Sequence, residues 1–227
     1  MSPRHALAAV LFDLDGTLID SITLIVNSAL HAFEQCGHPA PAADEWLADL
    51  GLPLRTMFGR FITDESKLAD LVARYREYQL ENHDRLVRPY DEVAATLTAL
   101  HERGHGLAVV TSKAEPLAHR GLAHVGLDGF FDVVVGLESC TRHKPDPEPV
   151  RIALDRLGVA PEAAAFVGDS PHDMAAGRAA GVTTVAALWG PFSRAQLAPS
   201  EPDYYIERMG ELLRVVAGSG LRTARRV

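Results

Sequence analysis

The chain has 227 residues, enough for one large domain or one domain carrying a smaller insertion. Hydrophobic residues make up 47% and charged residues 23%, the balance of a globular chain, and a formal net charge of -8 argues against a nucleic-acid partner, which demands a basic face. Cys36 and Cys140, with no C-x-x-C spacing, argue against a disulfide framework or a zinc site, and no stretch reaches the roughly 18 apolar residues of a membrane span, so the expected setting is a reducing cytoplasm with no membrane partner.

In chain order, the first element is "AAVLFD" (8–13), a nearly continuous apolar run that ends on Asp13, with Asp15 two positions later. Residues 18–88 then read as helical. "SITLIVNSALHAFEQCG" places Ile22, Ile25, Val26, Ala29, Leu30 and Phe33 at helical spacing. "DESKLADLVARYREYQLENHDRLV" does the same with Leu68, Leu71, Val72, Tyr75, Tyr78, Asn82 and Leu86. The Tyr75/Tyr78 stripe reads as the interior of that helical unit, and no strand is expected within it. Pro89 stops the last helix and suits a return hinge.

The strand–helix alternation resumes with "DEVAATLTALHERG", whose stripe of Val93, Leu97 and Leu100 ends at Gly104. The runs "GLAVVT" (106–111), "FDVVVG" (131–136), "AAFVGD" (164–169) and "TTVAAL" (183–188) fit strands buried on both faces of a parallel sheet, and "DYYIE" (203–207) fits a short extra one. Between them "PEPVRIALDRLG" is a helix closing on Gly158. The expectation is an α/β fold, a doubly wound, mostly parallel Rossmann-like sheet with an inserted all-helical cap. Its catalytic core spans 1–17 and 89–227, its cap 18–88, with hinges near 18–21 and 87–90. The basic tail at 218–227, with Arg222, Arg225 and Arg226, reads as a frayed terminus.

Ligands of such sheets bind outside the carboxyl ends of the strands, where the strand order switches. Asp13, Thr111 with Ser112, and Asp169 all stand at strand ends, and Lys144 sits in the loop "RHKPDPEP". Two carboxylates at one point repel, and burying both unpaired is costly. A hard divalent cation resolves this: Mg²⁺ takes oxygen ligands and is commonly completed by a substrate phosphate oxygen. With Lys144 it would offset charge on a phosphoryl group in transfer, while the Thr111 hydroxyl holds other oxygens. One carboxylate is then placed to attack phosphorus, and Asp15 to protonate the leaving oxygen and later deprotonate water.

"DLDGTL", "VVTSK", the lysine of "HKPDPEP" and "VGDSPHD" together resemble the four motifs of the haloacid dehalogenase superfamily of phosphohydrolases, in family order across essentially the whole chain. The helical insertion is similar to the small cap of the phosphoglycolate phosphatase-like branch, which includes related bacterial pyrophosphatases; the pyrophosphatases are the nearer match. The resemblance implies that Asp13 is the nucleophile and a Mg²⁺ ligand. It implies that Asp15 is the general acid/base, its backbone carbonyl also on the metal, and that Thr111 and Ser112 bind phosphoryl oxygens. Lys144 would neutralise charge, Asp169 would ligate Mg²⁺, and Asp173 would support it directly or through water. Gly16 and Thr17 would shape the turn after the first strand. In capped relatives a loop matching "GLPLRTMFGR" (51–60) dips into the site, which makes Arg55 the expected partner of a second anionic group on the substrate. The leading expectation is a Mg²⁺-dependent hydrolase of a small phosphorylated metabolite or pyrophosphate, acting as a monomer or homodimer. The alternatives are a sugar-phosphate phosphomutase and a non-catalytic phosphate-binding module. A haloacid dehalogenase is disfavoured because its relatives lack the second aspartate of the DxD pair.

Overall fold

The computed structural model of the protein describes residues 7–218, so Arg222, Arg225 and Arg226 of the expected tail lie outside the described residues. Strand β1 (Ala9–Phe12) is buried along its whole length. It is followed by a two-residue strand, β2 (Ile19–Asp20), and by four helices, α1 (Ile22–Gln35), α2 (Ala43–Leu47), α3 (Leu54–Gly59) and α4 (Glu65–Leu86). The chain returns through β3 (Arg88–Pro89), which pairs antiparallel with β2. This ribbon corrects the strand-free reading of residues 18–88. Two-residue strands carry no periodicity, and their pairing is set by the meeting of entering and leaving chain.

Beyond the ribbon the elements alternate: α5 (Val93–Glu102), β4 (Gly106–Val110), α6 (Glu115–His124), β5 (Val133–Val135), α7 (Glu148–Leu157), β6 (Ala164–Gly168), α8 (Pro171–Ala180), β7 (Thr183–Ala187), α9 (Arg194–Leu197), β8 (Tyr204–Ile206) and α10 (Leu212–Val216). The main sheet has the order β5-β4-β1-β6-β7-β8, and every pairing in it is parallel. Chain order therefore reverses between β1 and β6, the switch point at which open α/β sheets bind ligands.

Period-2 alternation splits the strands between two cores. Val10 and Phe12 of β1, with Leu107 and Val109 of β4, pack beneath α5, α6 and α10 through Leu97, Leu122 and Leu212. Ala9, Leu11, Ala108 and Phe166 face the other way, onto Val150 and Leu154 of α7 and Ala176 of α8. The helices between β2 and β3 close a third core of their own, centred on Phe33, Trp46, Phe58, Leu71 and Tyr75. A smaller cluster joins the two bodies, with Ile25 of α1 and Leu50 against Met174, Ala186 and Phe192. No helix among the described residues is long and apolar enough to cross a membrane.

Candidate active site

The register of β1 against β6 sets Phe12 beside Val167, so Asp13 and Asp169 leave neighbouring strands one residue out of step. The Asp13 amide donates to the Val167 carbonyl at 2.9 Å, which ties the first carboxylate to the end of β6. Asp173 arrives from the first turn of α8. Ser170 caps that helix in a reciprocal box: its hydroxyl donates to Asp173 Oδ2 at 2.6 Å, its amide to the same oxygen at 3.0 Å, and its oxygen accepts from the Asp173 amide. Carboxylate oxygens of Asp13, Asp169 and Asp173 lie within 4.8 Å of one another, and all three residues are buried.

Lys144 enters this cluster from the loop before α7, across a cis peptide bond to Pro145. Its ammonium donates to Asp13 Oδ1 at 2.7 Å, to Asp173 Oδ1 at 2.6 Å and to the Val110 carbonyl at 3.3 Å. Asp169 forms no ion pair among the described residues. Its partner is the Thr17 hydroxyl at 2.6 Å, so Thr17 reaches across to the far strand as well as standing in the turn after β1. That close approach needs Gly16, whose φ is +89° and where an added Cβ would lie 2.5 Å from Asp169.

The electrostatics follow from three acids and one base in a dry site. Burial pushes the Asp13 carboxyl up, Lys144 draws it down, and Asp173 and Asp15 push it up again, to about 7. Asp169 is raised well above the usual carboxylate range by burial first and by the charges of Asp13 and Asp173 next. Burial works against the Lys144 ammonium, yet Asp13 and Asp173 outweigh it and hold its pKa above the ordinary lysine value. The cluster is short of positive charge, and its donors are all oxygens on three carboxylates. That donor set fits a hard divalent cation.

Asp15 stands apart from the triad. Lys113 Nζ and Ser21 Oγ each donate to its Oδ1 at 2.5 Å. Thr111 Oγ1 accepts from the Lys113 amide at 3.1 Å, which leaves the hydroxyl proton to donate. Ser112 does something not expected of it: its hydroxyl donates to the Gly51 carbonyl at 2.5 Å, fastening the loop before α3 onto the core. Gly51, at φ +101°, lies so close to Ser170 that a Cβ there would meet its hydroxyl at 2.9 Å.

A cleft of about 700 Å³, counted out to its open mouth, lies under that loop. Asp13, Asp15, Thr111, Ser112 and Lys113 line its core side, and Tyr75, Arg76 and Gln79 of α4 line the other. The structure brings together seven of the eight residues expected at the site: Asp13, Asp15, Thr111, Ser112, Lys144, Asp169 and Asp173. It does not bring Arg55, which pairs on the surface with Glu65 at the start of α4 and is absent from the cleft. Glu65 lies ten positions away, and no periodicity announces that pair. Lys113, Thr17 and Ser170 went unassigned or under-assigned, although each adjoins a motif residue. Gln79 had a signal, being a polar residue on the buried stripe of α4, one turn after Tyr75.

The family model for haloacid dehalogenase-like hydrolases matches residues 10–187. A pyrophosphatase PpaX from Bacillus velezensis is 40% identical over 207 residues, covering 91% of this chain and 95% of its own. A pyrophosphatase PpaX from Halalkalibacterium halodurans is also 40% identical over 207 residues, with the same coverage. The crystal structure of a predicted phosphoglycolate phosphatase from Haemophilus somnus 129pt matches with a TM-score of 0.86 at 26% identity, over 94% of this chain and 99% of that one. With a family model matching most of its length and relatives 40% identical over nine-tenths of it, the chain belongs to the haloacid dehalogenase-like hydrolases.

Proposed function

We propose that the protein is a Mg²⁺-dependent phosphohydrolase that splits a small anionic phosphate compound, with pyrophosphate as its preferred substrate, through an aspartyl-phosphate on Asp13. The observation that carries this reading is the buried triad with too little positive charge: Asp13 and Asp173 share one ammonium, and the Asp169 carboxylate accepts from a hydroxyl alone among the described residues. Asp13, Asp169 and Asp173, with the Asp15 carbonyl, would hold the ion. When bound, Mg²⁺ supplies charge compensation for the carboxylates and the phosphoryl oxygens.

The chain's own groups divide the remaining work. Asp13 is the nucleophile: its Oδ attacks phosphorus, a P–O bond forms, and the bond to the leaving oxygen breaks. Lys144 stays on Asp13 and neutralises charge as the phosphoryl group passes over. Thr111 and neighbouring N–H groups at the start of α6 hold phosphoryl oxygens. Asp15 hands a proton to the leaving oxygen, then takes one from the water that attacks the aspartyl-phosphate and returns Asp13 to its carboxylate. Lys113 and Ser21 fix the Asp15 carboxyl for both tasks. Residues 18–88 act as a cap that excludes water while closed, and the Ser112–Gly51 bond is one of the contacts that closes it. The preference for pyrophosphate is carried over from the two PpaX relatives.

The test is Asp13→Asn. Turnover of pyrophosphate and of p-nitrophenyl phosphate in Mg²⁺ should fall by at least about 10³-fold, with the circular dichroism spectrum unchanged. A folded variant with wild-type turnover would remove Asp13 from the mechanism.

A further inference from the structure

On the cap side of the cleft, α4 presents an arginine that no other described residue engages. α4 lines the cleft with Tyr75, Arg76 and Gln79, which share a face at i, i+1 and i+4. Most cap arginines are engaged: Arg55 with Glu65, Arg60 with Asp49, Arg74 with Glu77 and Arg85 with Asn82. Arg76 makes no side-chain hydrogen bond or ion pair among the described residues. The cleft's other cation, Lys113, is already on Asp15. Beside Arg76, Gln79 Nε2 donates to the Tyr75 hydroxyl at 3.3 Å, and both residues are buried. That single bond leaves the Tyr75 O–H proton and the Gln79 carbonyl oxygen without partners among the described residues. The rest of the cap side is apolar, with Leu50, Leu52, Leu54 and Met57.

We infer that Arg76 is the specificity-determining residue of the cap and that it takes the leaving phosphate of a diphosphate, with Tyr75 and Gln79 beside it. The inference rests on the phosphohydrolase reading above and sharpens it. The phosphorus under attack must sit over Asp13, so whatever leaves points away from the core, towards α4. An apolar wall broken by one unengaged guanidinium selects an anion there: guanidinium binds phosphate in a two-pronged fork, and the surrounding leucines exclude water when the cap is closed. Arg76 is exposed at the edge of the cleft, where it can meet a second phosphate as a charged partner, whereas a neutral sugar offers its guanidinium no charge to pair with. Arg76 touches no reacting atom of Asp13 and acts by holding the group that departs.

The experiment measures inhibition of p-nitrophenyl phosphate turnover in Mg²⁺ by methylenediphosphonate, a diphosphate mimic with an uncleavable bridge, and by methylphosphonate. Arg76→Ala should raise the Ki of methylenediphosphonate by roughly 10- to 100-fold and that of methylphosphonate by less than about 3-fold, as expected for loss of one charge-assisted contact to the second phosphate. Arg76→Lys should recover part of the loss, and Arg74→Ala on the same helix should leave both Ki values within about 2-fold. Equal weakening of both inhibitors, no weakening of either, or the same selective loss in Arg74→Ala would overturn the inference. If the wild type turns over no phosphate compound, the hydrolase reading fails by itself. Calorimetric titration of the same two phosphonates into wild type and Arg76→Ala then decides the role of Arg76 on the same criteria.

Discussion

At the rim of the sheet each buried carboxylate and Lys144 is held by another polar side chain; the interior of the helical insertion is built largely on rings, and most of its ion pairs lie on its surface. Lys144 is fixed by two carboxylates and a carbonyl, Asp173 by a helix cap, and Asp169 by Thr17. The insertion instead packs Phe33, Trp46, Phe58 and Tyr75 edge to face. The rim is therefore stiff and committed to one geometry, as a site for charge transfer requires. The insertion owes its stability to shape, and Arg76 and Gln79 of its cleft face stand outside that apolar core. The proposed chemistry and the proposed selectivity thus rest on different physical forces in the two regions, so substitutions should separate them.

The sharpest break comes at Lys144. Lys144→Ala leaves Asp13 and Asp173 buried with no cation, which should lower the unfolding free energy without added Mg²⁺ by about 3–5 kcal/mol. Turnover should fall with it by at least about 10²-fold. Urea denaturation and steady-state kinetics check both, and wild-type values for either would mean that the ammonium is not holding the rim together. In the insertion, Phe58→Ala removes a fully buried ring and should cost about 3–4 kcal/mol in the same denaturation measurement. Because the rim does not lean on that ring, turnover of p-nitrophenyl phosphate should fall far less than in Lys144→Ala. Equal losses of turnover would erase the division of labour between the regions.

The smallest expected effect lies where the two regions touch. His83 of α4 is buried, its Nδ1 2.8 Å from Asp84 and its Nε2 without a partner among the described residues. Across the contact stand Lys113 and, on α6, Arg120 and His124, the last with its ring 5.4 Å from that of His83. Burial lowers the His83 pKa, the Asp84 hydrogen bond offsets part of this, and Lys113 and Arg120 lower it further. A base with a depressed folded-state pKa stabilises the fold fully above its unfolded value near 6.5, and that stabilisation is lost as pH falls through the lower folded value. The melting temperature of the wild type should thus drop between pH 7 and pH 5 more steeply than that of His83→Gln. Parallel curves would show that this contact is indifferent to the histidine's charge.

The six strands of the main sheet and the residues at their ends were legible because apolar runs bounded by turns leave a strong mark, and because a switch point converts strand order into a place. The hinge ribbon was not, since four residues in two strands carry no pattern. Arg55 was misplaced for a related reason. Loop position suggested that it faces the site, but side-chain partners are chosen in three dimensions, and Glu65 on the next helix claims it. Arg76 was hidden by its neighbours, lying on a stripe read from Tyr75 and Tyr78 as interior. Lys113 was quoted within a motif and still missed, because nothing in the local sequence says that its ammonium folds back onto Asp15.

The ribbon itself has a further consequence. Ile19 pairs with Pro89 and Asp20 with Arg88, so the whole insertion leaves and re-enters through one narrow doorway of adjacent backbones. Whatever polypeptide hangs beyond that doorway adds little closure entropy to the Rossmann-like body behind it, since its two ends already stand side by side. An insertion of another length or shape would therefore hang from the same doorway at little cost to the fold behind it.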